Sequence, residues 1–181
     1  MNEFLMARAI QRHVLKRDCV VLVDRCQWSG SEADVLAVTG NLRLIDIEIK
    51  ISRADLKADA KKSKWWQTYW GWGQRDQHHC LPAPLQWPHR IWKHYYALPA
   101  SVWKDDLLAC IHSPASGIIL LDDIDGLPGL ARVVRRAKPN GGAKPISAEQ
   151  ALDVARLANL RMWDAYRQLA MAAQERPGMA A

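Results

Sequence analysis

Ala33-Asp34-Val35-Leu36-Ala37-Val38-Thr39, then Gly40-Asn41-Leu42, then Arg43-Leu44-Ile45-Asp46-Ile47-Glu48-Ile49-Lys50 reads as one β-hairpin, and its two strands decide the fold. Side chains alternate along a strand, so Glu32, Asp34, Leu36 and Val38 take one face of the first strand and Ala33, Val35 and Ala37 the other. On the second strand Asp46, Glu48 and Lys50 share a face opposite Ile45, Ile47, Ile49 and Ile51. Charged side chains on the face of a central sheet need partners or a metal. If the loop turns about Asn41, Asp34 falls opposite Glu48 on the same face; a two-residue Gly40-Asn41 turn breaks that parity, so an odd-length loop or a bulge is expected. Asp34 and Glu48 are then hard oxygen donors suited to Mg²⁺ or Mn²⁺, with the Ile49 carbonyl as a further ligand. Lys50 stands beside them as a point charge, able to lower the pKa of an attacking water or to stabilise negative charge developing on phosphorus.

The flanking sequence supplies helices. Residues 2–17 read as a helix with Asn2 as N-cap and a stripe of Phe4, Ala7, Ile10 and Val14; Glu3 lies on that stripe, turned toward the sheet or simply complementing the helix dipole. Asp18 to Arg25 reads as the first strand. Ser52, with Asp55 three residues on, starts a helix expected to reach Trp65, with Arg53, Lys57, Lys61 and Lys64 along one side and Asp55, Asp59 and Lys62 along another. That basic side is either a solvated face or a place to hold a phosphate backbone.

Asp34, Glu48-Ile49-Lys50 and the helix directly after them resemble the PD-(D/E)XK nuclease superfamily, with Ala33-Asp34 where the name motif has proline. Glu48 to Asp59, His94-Tyr95-Tyr96-Ala97-Leu98-Pro99 and Ser116-Gly117-Ile118-Ile119-Leu120-Leu121 are further similar to the branch containing the MmcB-related DNA-repair proteins and their phage homologues, over about residues 1 to 135. The resemblance implies an α/β, restriction-endonuclease-like fold with an αβββαβ core, in which a mixed central sheet is flanked by helices. It implies a Mg²⁺- or Mn²⁺-dependent DNA endonuclease, in DNA repair or phage DNA processing, with Asp34, Glu48 and Lys50 catalytic. Glu3 would reach the metal through water, while Glu32, Ser52, Asp55 and Asp59 would surround the site. Alanine at Asp34, Glu48 or Lys50 is expected to abolish cleavage and leave folding largely intact. A DNA-binding protein without turnover, or an RNA-directed nuclease, is the alternative on the same scaffold.

The whole chain fits this class. Its 181 residues, 49% hydrophobic, suit one domain over residues 1–175, with a Trp-rich insertion at about 66–90 and a disordered tail at 176–181. A formal charge of +6 favours a polyanion such as DNA. Cys19, Cys26, Cys80 and Cys110 form no CxxC pair, and no apolar run is long enough to span a membrane, so a reducing cytoplasm is expected. A homodimer is compatible with the sequence. In the insertion, Trp65, Trp66, Trp70, Trp72, Trp87 and Trp92 alternate with Gly and Pro; they either stack on bases, helped by Arg75 and Arg90, or form a satellite core under a loop. His78, His79, Cys80, His89 and His94 match no established zinc spacing. Downstream, strands are expected at Ile91 to Leu98, Gly117 to Leu121 and Ala131 to Ala137, with Asp122 to Gly126 a plain acidic turn. Arg132, Arg135, Arg136, Lys138 and Lys144 surround Pro139-Asn140-Gly141-Gly142 as a mobile basic loop, in which Arg135 and Arg136 contact DNA. Ser147 and Gln150 cap a last helix whose stripe of Leu152, Ala155, Met162, Trp163, Tyr166 and Leu169 is expected to pack on the domain.

Overall fold

The hairpin forms with the anticipated parity. In the computed structural model, which describes residues 2–16, 18–67 and 83–174, α1 (Glu3–Ile10) leads into β1 (Cys19–Cys26), β2 (Ala33–Thr39) and β3 (Leu44–Ile49). Val35 pairs with Ile47 and Val38 with Leu44, so the register runs about Asn41 and sets Asp34 opposite Glu48. The loop has three residues, closed by Thr39 N–H to the Arg43 carbonyl (3.0 Å) and Leu42 N–H to the Thr39 carbonyl (2.9 Å), with Leu42 at φ 59°. This is the odd-length connection that parity demands. A leucine in the left-handed region costs roughly 1–2 kcal/mol; Leu42 offsets part of that by packing on the core around Leu36, Val38 and Leu44.

After the hairpin come α2 (Arg53–Asp59), a small two-stranded pair β4 (Trp66–Gln67) and β5 (Ala83–Pro84), then β6 (Ile91–Pro99), β7 (Gly117–Ile124), β8 (Leu127–Arg135) and α3 (Ala148–Gln174). The main sheet is mixed, in the order β1-β2-β3-β6-β7-β8. β3, β6 and β7 run parallel, and the other neighbours are antiparallel. The α/β class and the αβββαβ succession of elements are as expected. The β7–β8 turn places Asp125 (φ 53°) and Gly126 (φ 80°) between Ile124 and Leu127, a two-residue I′-like hairpin that explains the acidic turn without calcium.

One face of the sheet is apolar at its centre: Val35, Ala37, Ile45, Ile47, Ile49, Ala97, Ile119 and Leu121 meet Met6, Ile10 and Leu15. The other face is split. Ala151 and Val154 of α3 cover Val23, Leu36, Leu44 and Ile91, whereas Leu56 and Trp65 cover Tyr96, Leu98, Ile118 and Leu120. The even-numbered polar residues of β3 share this second face.

Several boundaries depart from the expectation. Beyond Ile10 the first helix widens into a π-helix over Gln11–Leu15, with Lys16 N–H bonded to the Gln11 carbonyl at 2.9 Å. Five-residue spacing aligns Ile10 with Leu15 in place of Val14, and Phe4 is 66% exposed. Ile51 lies past the end of β3 and is exposed. The second helix stops at Asp59, because Lys61 and Lys62 turn back on the Ala58 and Asp59 carbonyls and a 3₁₀ turn (Ser63–Trp65) follows. Residues 138–146 are tied down instead of mobile: Lys138 N–H bonds the Ala115 carbonyl, Asn140 N–H the Trp92 carbonyl and Ile146 N–H the Leu42 carbonyl, each at 2.8 Å. The α3 stripe fails as a packing surface, since the body is met by Ala151 and Val154, with Leu152, Trp163, Tyr166 and Leu169 all more than half exposed. Trp70, Trp72, Arg75, His78, His79, Cys80 and the tail lie outside the described residues.

Candidate active site

Two strand positions, the residue after the strand, one helix and one turn build the charged cluster. Asp46 and Glu48 come from β3, Lys50 follows it, Asp59 ends α2, and Lys62 and Lys64 come from the turn after it. Glu48 is buried and takes three ammonium groups: Lys50 Nζ at 2.9 Å, Lys62 Nζ at 3.1 Å and Lys64 Nζ at 2.7 Å. Lys50 and Lys62 also bridge to Asp59, at 3.0 and 3.1 Å. Tyr96 Oη and Trp65 Nε1 donate to Asp59 Oδ2 at 2.7 and 3.0 Å, so Asp59 anchors the turn that delivers the lysines.

Burial alone would push the Glu48 and Asp59 carboxyls up, yet Lys64 and Lys50 hold both below the usual carboxylate range. Burial likewise works against the Lys50 charge, but Glu48 and Asp59 more than compensate and hold its pKa above that of a free lysine. Asp46 differs. Fully buried with Lys64 only 3.9 Å away, it is pushed up to about 7, chiefly by burial. His94, paired across the parallel register with Asp46, bonds Ser116 Oγ at 2.9 Å and is kept neutral by burial and by Lys64.

Asp34 stands apart from this cluster although it is opposite Glu48. Its Oδ2 accepts the Ile49 N–H at 2.7 Å, and it lines a cleft of about 230 Å³ with Glu3, Asp24, Arg25 and Ile49. Burial first, and the Glu48 charge second, raise its pKa to about 6. A partly buried carboxylate beside another carboxylate is a natural seat for a cation.

The donor set therefore fits a hard cation in kind: Asp34 and Glu48 carboxylates flanking the Ile49 backbone, with Glu3 at the cleft edge. Among the described residues no three His, Cys, Asp or Glu side chains are grouped closely enough to hold an ion, and Glu48 is taken up by lysines.

Other expected site residues fall elsewhere. Lys64 is buried against Glu48, not on a basic helix face, because the helix ends five residues before it. Lys57 and Lys61 are exposed, and Arg53 Nε bonds the Val102 carbonyl at 3.0 Å. Arg135 ends the edge strand β8 and Arg136 follows it, three strands from β3, or about 14 Å at ordinary strand spacing, with Arg135 bonded to the Pro114 carbonyl. Glu32 is exposed and accepts Gln27 Nε2 at 3.0 Å, away from the cluster. Ser52 caps α2 by accepting the Asp55 N–H at 3.1 Å, and Asp55 lies 4.0 Å from Lys50. Lys62, Asp24, His94, Tyr96 and Trp65 were not singled out for the site; alternation along His94-Tyr95-Tyr96 was the available signal, since two polar residues two apart share the face of Asp46 and Glu48.

No family model and no curated protein matches the chain. A solved structure of a protein of unknown function from Silicibacter pomeroyi is similar, with a TM-score of 0.53 at 20% identity over 97% of this chain and 94% of that one. That likeness concerns the fold.

Proposed function

We propose that the protein is a metal-dependent phosphodiesterase of the PD-(D/E)XK type acting on DNA. The observation that carries the reading is the pairing of Asp34 and Glu48 across adjacent antiparallel strands with Lys50 bound to Glu48 at 2.9 Å. Asp34, Glu48 and the Ile49 carbonyl would hold Mg²⁺ or Mn²⁺, which supplies Lewis acidity and a nucleophilic water at neutral pH.

The chain's own groups account for the remaining work. Lys50 is held protonated by Glu48 and Asp59, so it serves as a cation that stabilises charge developing on a phosphate and not as a base. Lys62, about half exposed at the cluster's outer side, is placed to receive a phosphate oxygen. Lys50, Lys62 and Lys64 face Glu48 and Asp59, which stay ionised, with Asp55 4.0 Å from Lys50 and Asp46 3.9 Å from Lys64, so an entering phosphate would meet the cluster at Lys62, its most exposed ammonium. Exposed Lys57 and Lys61 extend this charge along α2 and its turn, consistent with a formal charge of +6.

A second reading rests on the occupancy of Glu48: with three lysines already on it, the same surface would bind a phosphate backbone without turnover. Incubation with plasmid, single-stranded, branched and RNA substrates, each with Mg²⁺, Mn²⁺ or chelator, separates the two. Metal-dependent cleavage of DNA is expected. Binding without cleavage in every metal selects the second reading, and preferential cleavage of RNA reassigns the substrate.

A further inference from the structure

A second cleft, of about 660 Å³, opens at the other end of the sheet and has no part in the chemistry above. Leu44 pairs with Ile91 where Glu48 pairs with Tyr96, so its floor near Ile91 and Ile146 lies about 13 Å along the strands from Glu48. The volume is within the roughly 300–1,000 Å³ range of small-molecule sites. Its ionisable lining residues among those described are His89, Arg90 and Lys144, all capable of positive charge, and no carboxylate is among the described lining. Trp87, Pro88 and Pro145 supply apolar surface.

The walls are fixed before any ligand arrives. Trp87 Nε1 donates to the Lys138 carbonyl at 3.1 Å, which sets its ring. Asn140 ties the facing loop to the sheet, its Nδ2 donating to the Ile91 carbonyl at 3.2 Å and its Oδ1 accepting Gly142 N–H at 3.0 Å. Arg90 holds the left-handed conformation at φ 63°, where glycine or asparagine would fit at less cost, and its guanidinium stacks 5.7 Å over the Trp28 ring. Stacking leaves the edges of the guanidinium available for hydrogen bonds, the usual arrangement for reading a phosphate. Backbone strain at an exposed arginine is intelligible if that side chain has a task.

We propose that this cleft binds one nucleotide unit, with the planar base against Trp87 and the phosphate on Arg90 and Lys144. The chemistry is the same for a free mononucleotide and for one residue of a single strand. The proposal is independent of the phosphodiesterase reading, and binding is measured in chelator so that loss of cleavage cannot mask it.

The experiment titrates the full-length protein with fluorescein-labelled oligothymidylate by anisotropy, with thymidine 5′-monophosphate added as competitor, for wild type, Trp87→Ala, Trp87→Phe and Arg90→Asn/Lys144→Gln. Trp87→Ala should weaken oligonucleotide binding about tenfold, while Trp87→Phe stays within about threefold. The double variant should also weaken it and flatten the slope of log affinity against log salt by about 0.7, the value for the one phosphate that both side chains hold. Competition by the mononucleotide assigns the cleft to free nucleotides, and its absence, with variant effects intact, assigns it to a strand. Unchanged affinity and salt slope in the double variant, with Trp87→Ala also at wild-type affinity, would overturn the proposal. Arg90→Asn suits the left-handed backbone and both charges are exposed, so the double variant keeps the test valid even if Trp87→Ala unfolds.

Discussion

The lysine cluster around Glu48 and the cleft around Asp34 sit side by side on one hairpin, yet they treat a carboxylate in opposite ways. Glu48 is more deeply buried and is held ionised by Lys50, Lys62 and Lys64, whereas Asp34 is less buried and has its pKa raised to about 6. Depth of burial alone would order them the other way; the supply of cations decides. One acid is neutralised by the protein's own ammonium groups and contributes to the fold. The other remains costly to ionise, and that cost is what an exogenous cation would relieve.

The largest effect expected from breaking this contrast is on folding. Glu48→Gln leaves the lysines with Asp59, 3.0 Å from Lys50 and 3.1 Å from Lys62, as their remaining near carboxylate, and removing one partner of a buried pair costs about 3–5 kcal/mol. Urea denaturation should show that loss. The sequence-based expectation is that Glu48 substitutions leave folding intact; a loss in urea would overturn it, so cleavage by a Glu48 variant must be read beside its stability.

Lys64→Met should cost less, about 1–3 kcal/mol, because Glu48 keeps two ammonium partners and methionine fills the buried space. A similar loss in Lys62→Met, whose side chain is 49% exposed, would show that burial does not set the scale here.

Asp34→Asn points the other way. The amide oxygen can keep the Ile49 N–H bond while the unfavourable charge disappears, so stability at pH 7.5 should rise by about 1 kcal/mol or less, discounted for partial exposure, as cleavage is lost. The pH dependence sharpens this. Because the folded-state pKa of Asp34 is raised, the folded protein keeps a proton between about pH 4 and 6 that the unfolded chain has lost. Its contribution to stability therefore falls as pH rises through that window. The gain from Asp34→Asn should grow from pH 4 to 6 and then level off in thermal melts. Metal affinity should follow the same ionisation, rising through about pH 6.

The smallest effect is expected at Glu3, which lines the cleft from α1 but is exposed. Glu3→Gln should slow cleavage only severalfold if it acts through water, and rates equal to wild type return Glu3 to complementing the helix dipole.

Much of the sheet was legible because alternation is a local property. Isoleucines at 45, 47 and 49 face α1, Asp34 stands opposite Glu48, and the loop is odd, all as parity requires. What stayed hidden depends on where helices end. Lys64 reads as one position of a basic face if the helix runs on, but the chain turns back after Asp59, whose carboxylate accepts from Tyr96 and Trp65, residues distant or ambiguous in sequence. The last helix misled for a related reason: its apolar positions are as periodic as a buried stripe, and periodicity cannot say how far the body extends beneath them.

Whether Asp34 and Glu48 together seat a metal that cuts DNA is decided by titrating Mn²⁺ into wild type and Asp34→Asn, with thermal melting and plasmid nicking read in the same samples. Mn²⁺ is expected to raise the melting temperature of wild type and switch on nicking, with chelator reversing both, whereas Asp34→Asn is expected to start more stable but gain neither. Equal Mn²⁺ stabilisation and equal nicking in the two proteins would contradict that seat.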